Sequence, residues 1–143
     1  MSGRNSARGA IIEKKGEFMK YKLLIFTCYG GCATGVSASK ACIRIWKEDP
    51  DEVKIGCLPA VIVPGKFKAI IKSSERRILI DACPVQCGKV LFEREGMTVD
   101  RYVELTSALV VKKAKKLPSE DFEEAVYQLI RKEVDTLLIS KRS

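Results

Sequence analysis

The chain has 143 residues, of which 46% are apolar, which suits one domain built around a single core. Its 26 Lys and Arg against 18 Asp and Glu give +8 at pH 7. That charge is spread over the amino-terminal stretch, Lys112, Lys113, Lys115, Lys116 and the final Lys141 and Arg142 without interleaved aromatics, so it reads as solvated surface and argues against a nucleic-acid partner.

No apolar run approaches the length of about 18 residues that a membrane span requires. Residues 1–19 (MSGRNSARGAIIEKKGEFM) read as a flexible leader without a secretory signal, broken by Gly3, Gly9 and Gly16. Residues 20–143 then read as a single α/β domain, with a cytoplasmic location as the expectation. A first strand is predicted from Tyr21 to Cys28. The glycine-rich turn Tyr29 to Gly35 leads into a helix with Ala38, Ala41, Cys42, Ile45 and Trp46 on its buried face. That periodicity assigns Cys42 to the core as a small hydrophobe.

The Glu48–Asp51 cluster ends this helix, and a second strand follows from Val53 to Cys57. A helix from Lys66 to about Ser74 returns the chain to a third strand, Arg77 to Cys83. Pro84 then suits a first helical turn, with Cys83 at the helix amino terminus, Cys87 four residues later on the same face, and Gly96 as carboxyl-terminal cap. Thr98 to Val111 predicts a fourth strand, and Ser119 caps a closing helix with Glu120 and Asp121 in its first turn. Strands alternating with helices predict a three-layer, Rossmann-like fold around a mostly parallel sheet of four or five strands.

Three predicted strands end on a cysteine: Cys28, Cys57 and Cys83. In a parallel sheet those ends share one edge, and Cys32 and Cys87 each follow four residues behind one of them. Thiols gathered there point to a soft-metal site, with tetrahedral Zn2+ as the first expectation and Cys28, Cys57, Cys83 and Cys87 as the chosen ligands. Cys32 is either an alternative ligand or an open-site thiol. An iron–sulfur cluster would use the same thiolates, and a redox pair is a third reading, although the spacing is CxxxC and not CxxC. In a reducing compartment this pattern speaks for metal or redox work over a disulfide framework.

Other chemistry is thin. The chain has no histidine, which removes the commonest general base and zinc nitrogen ligand. CYGGCATG superficially resembles an anion-cradling cysteine loop, but no arginine closes it as the phosphatase signature requires. Asp81 is the one acid placed at a strand end, either as a support for the thiols and a proton acceptor or as a cap for the neighbouring turn. Gly30, Gly31 and Gly35 would let a backbone approach an anion or a metal, or simply make the turn. Whether a protein partner is involved is left open by the sequence.

CYGGCATG (28–35) together with CLPAVIVPGKFKAIIKSSERRILIDACPVQCGKVLFEREG (57–96) resembles the DGC-domain family of zinc-binding proteins. The resemblance implies a small α/β domain with four chelating cysteines, carried onto Cys28, Cys57, Cys83 and Cys87. It implies no particular reaction. The Asp-Gly-Cys that names the family reads Asp81-Ala82-Cys83 here, and alanine resists any positive φ that such a turn would ask for.

Overall fold

The structure, a computed structural model, describes residues 20–142, with side chains through Ile139; the amino-terminal stretch read above as a leader lies outside the described residues. Four strands, β1 (Leu23–Thr27), β2 (Val53–Ile55), β3 (Arg76–Asp81) and β4 (Arg101–Glu104), form one sheet in the order β2-β1-β3-β4. Every pairing is parallel. β1 is buried at each of its five positions, as a strand covered on both faces must be.

Alternation along β1 and β3 divides the core in two. Leu23, Ile25, Ile78 and Ile80 face α1 (Ala33–Glu48) and α5 (Glu120–Arg142), whose Ala38, Ala41, Cys42, Ile45, Val126, Ile130 and Val134 complete that layer. Leu24, Phe26 and Leu79 face the other way. They pack on Val61 of the 3-10 turn Leu58–Val61, Ile71 of α2 (Lys66–Ser73) and Phe92 of α3 (Cys87–Arg94). The Phe26 and Phe92 rings meet edge to face at 5.1 Å. The expected three-layer α/β domain is therefore the one formed. No helix among the described residues is long and apolar enough to cross a membrane.

Two helix ends follow their sequence signals closely. Ser119 Oγ accepts the Phe122 N–H at 3.2 Å to open α5. Gly96, at φ 64°, ends α3: its N–H bonds Glu93 O, the Met97 N–H bonds Phe92 O, and Met97 packs in the same core cluster as Phe92.

Two expectations need correction. The fourth strand is only Arg101–Glu104, because Leu105–Leu109 forms a short helix, α4. The Glu104 carboxylate makes that switch by accepting the Thr106 N–H at 2.7 Å, the Thr106 hydroxyl, and the Ser107 hydroxyl at 2.8 Å. These bonds lower the Glu104 pKa in spite of the burial that raises it. The second correction concerns α3, which begins at Cys87 after Gln86 in the left-handed region (φ 57°). Cys83 thus lies in the preceding turn and shares no helix face with Cys87. Ala82 escapes positive φ altogether, since Gln86 makes the left-handed turn instead.

Candidate metal centre

Strand order decides where the cysteines go. From β1 the chain crosses to β2 on one side and then to β3 on the other, so the crevice of this doubly wound sheet opens beyond the carboxyl ends of β1 and β3. The turns from these two strands carry Cys28 with Cys32 and Cys83 with Cys87. All four line one cavity of about 480 Å³, together with Gly30, Gly31, Leu58, Ala82, Val85, Lys113 and Lys115.

The first turn is shaped by close backbone contact. It doubles back on the start of α1 so tightly that a Cβ on Gly35 would stand 2.2 Å from Gly30 O. Tyr29 takes φ 53° to make the bend. Cys32 is the cap residue of α1 and is buried; its Sγ lies 3.3 Å from Thr34 Oγ1. Burial pushes the Cys32 thiol up, but the bonds to the Thr34 hydroxyl and the Gly35 N–H, with the charge of Lys113, outweigh it and leave the pKa below the ordinary thiol value. The Thr34 hydroxyl also donates to Ala82 O at 2.6 Å, which ties the first cysteine turn to the second.

The second turn hangs on Asp81. Its carboxylate is 1% exposed and accepts the Gly88 N–H at 2.9 Å, the Lys89 N–H at 3.0 Å and the Tyr102 hydroxyl at 2.9 Å. These backbone bonds both cap the neighbouring turn and support a thiol: Asp81 holds the open end of α3, and hence Cys87, against β3. A Cβ on Gly88 would fall 2.8 Å from Asp81 Oδ1, so glycine admits this approach. Burial first, then the bond to Asp81, push the Tyr102 phenol far above its usual value.

Cys57 is exposed at the start of the 3-10 turn, outside the cavity, although its neighbour Leu58 lines it. Cys42 is buried in the α1 layer, as its periodicity indicated, and burial pushes its thiol up to about 12. All six cysteines are free. Cys28, Cys32, Cys83 and Cys87 thus line one cavity, while Cys57 is exposed beside Leu58 of its lining and within charge reach of Tyr29 in the first cysteine turn.

The cavity lining contains four thiols, no carboxylate and no imidazole, a donor set that suits a soft or borderline ion such as Zn2+. Among the described residues no three potential ligands stand close enough to hold an ion as they are placed, so ligation requires the cysteine side chains to close in. Sequence reasoning missed Thr34, Lys113 and Lys115 here. For the lysines, the run KKAKK was the available signal.

The family model for the DGC domain matches residues 24–130, most of the chain and all six cysteines. No curated protein and no solved structure matches the chain.

Proposed function

The chain belongs to the DGC-domain family, and on that premise we propose that it is a metal-binding protein that holds Zn2+ through Cys28, Cys32, Cys83 and Cys87. The observation that carries this reading is the convergence of four thiols from two separate βα turns on one cavity at the switch point of the sheet. When bound, a zinc ion in an all-thiolate site supplies structural closure, joining turns that are otherwise tied by the Thr34–Ala82 bond. The protein's own part is positional. Asp81 fixes the helix end that presents Cys87, and Gly35 lets the first turn fold tightly enough to present Cys28 and Cys32 together.

A site of this kind belongs in a reducing compartment such as the cytoplasm, where thiols stay available. A holding, delivery or sensing role suits four thiolates with no water-bearing position better than catalysis does. An iron–sulfur cluster is the second reading, because it would take the same four thiolates. A coloured protein as purified would select it.

Metal analysis of the reduced, purified chain tests the proposal. One zinc per chain is expected, lost in Cys28→Ser, Cys32→Ser, Cys83→Ser and Cys87→Ser and kept in Cys57→Ser. Loss in Cys57→Ser with full retention in Cys32→Ser would show the ligand set to be wrong.

A further inference from the structure

The loops at the cysteine edge of the sheet are residues 28–32, 56–65, 82–86 and 110–119, and they contain no aspartate or glutamate. Their charged residues are Lys112, Lys113, Lys115 and Lys116. The loops at the opposite edge, 49–52, 74–75 and 95–100, hold Asp49, Asp51, Glu52, Glu75, Glu95 and Asp100 and no lysine or arginine. Charge therefore differs between these two sets of loops, although Lys20 and Lys22 lead into β1 at the acidic edge and Glu120 and Asp121 open α5 at the cysteine edge.

The four lysines are sorted within their own segment. The Ala33 N–H, at the start of α1, donates to Ala114 O at 2.8 Å and pins the middle of KKAKK to the helix end. On either side of that pin, Lys113 and Lys115 line the cysteine cavity. Lys112 and Lys116 line a different cavity, with Thr34 and Phe122. Lys113 and Lys115 thus share one side of this segment, and Lys112 and Lys116 the other.

We propose that Lys113 and Lys115 are the counter-charges of the metal-thiolate site, positioning residues that neutralise the two negative charges left when four thiolates enclose a divalent ion. This deepens the zinc reading above and rests on it. Four thiolates and one divalent cation sum to −2, and the two lysines that line the same cavity carry +2, Lys113 already lowering the Cys32 pKa by its charge. A net charge held partly out of water is costly unless compensated nearby. The lysines also explain why loops with no carboxylates suit a metal site: compensation comes from cations outside the ligand shell, while the carboxylates of Asp81 and Glu104 are engaged by their own turns.

The test compares zinc affinity, by competition with a chromophoric chelator, for the wild-type chain and three double variants. Cobalt(II) spectra of each variant report whether the thiolate shell is intact. Lys113→Gln/Lys115→Gln should bind about ten- to a hundredfold more weakly, the scale of two partly screened unit charges, with an unchanged cobalt spectrum. The loss should shrink as ionic strength rises from about 0.01 to 1 M, where the Debye length falls from about 30 to 3 Å. Lys113→Arg/Lys115→Arg should bind like wild type, and so should Lys112→Gln/Lys116→Gln. Unchanged affinity in Lys113→Gln/Lys115→Gln, or an equal loss in Lys112→Gln/Lys116→Gln, overturns the inference and leaves the zinc reading standing. A wild-type chain that takes up neither zinc nor cobalt overturns both.

Discussion

Removing the Asp81 carboxylate should do more damage than removing any single cysteine. Asp81 is buried and satisfies three donors at 2.9, 3.0 and 2.9 Å. Asp81→Ala costs α3 its cap, about 1–2 kcal/mol. It also strands the Tyr102 hydroxyl and an N–H in a partly buried setting, which adds about 1–3 kcal/mol. A total near 4 kcal/mol is a large part of the roughly 5–15 kcal/mol that holds an ordinary domain together. Asp81→Asn keeps the shape and one acceptor oxygen but turns an amide toward a donor, so about half that loss is expected. Urea unfolding with an unchanged m-value measures both. Tyr102→Phe alone should cost about 1 kcal/mol, and its cycle with Asp81→Asn should show coupling of at least about 0.5 kcal/mol. The same variants should lose zinc affinity in the same order, because Cys87 is the first residue of the helix that Asp81 holds. An Asp81→Ala protein within 0.5 kcal/mol of wild type would refute the reasoning.

Four further outcomes are expected. Gly35→Ala drives a Cβ to 2.2 Å from a backbone oxygen; it should destabilise by about 2 kcal/mol or more and weaken metal binding, read by thermal melting and chelator competition. Val110 is 89% exposed at φ 55°, a costly conformation for a β-branched residue, so Val110→Gly should raise stability by about 1 kcal/mol in urea. Cys42, with its thiol pushed up to about 12, should react with a thiol reagent at neutral pH only after unfolding, as mass spectrometry of the labelled chain can show. For Tyr102, the folded pKa lies above the ordinary 10.0. Its contribution is therefore complete below pH 10 and is lost as pH rises beyond it, so Tyr102→Phe should flatten the alkaline fall in stability.

Much of this architecture is legible in the amino-acid order. β1 announces itself by the apolar run Leu23–Phe26 and β3 by Ile78–Ile80, because a parallel strand covered on both faces has no polar side to display there. Cys42 is placed by the same periodicity as Ala38 and Ile45. Thr98 to Val111 misleads because its apolar residues suit a strand, whereas the helix at Leu105–Leu109 is started by one carboxylate, Glu104, bonding its own chain two and three residues on. Cys57 illustrates a different limit. It follows a strand end by two residues, as Cys83 does, yet β2 is an edge strand while β1 and β3 flank the crevice. Spacing gives the distance of a thiol from its strand, but strand order decides which turns face one another, and that order is a property of the assembled sheet. Lys113 and Lys115 were hidden for the same reason: their position depends on the bond from Ala33 to Ala114, far apart in sequence.

Counting sulfur neighbours of the bound ion by X-ray absorption tests the central claim most directly. The zinc-loaded wild-type chain should show four sulfurs at about 2.3 Å and Cys57→Ser should match it, whereas Cys32→Ser, which loses its zinc on purification, should show fewer sulfurs when zinc is supplied in excess. A shell dominated by oxygen, or one in which Cys57→Ser loses a sulfur while Cys32→Ser keeps all four, would contradict it.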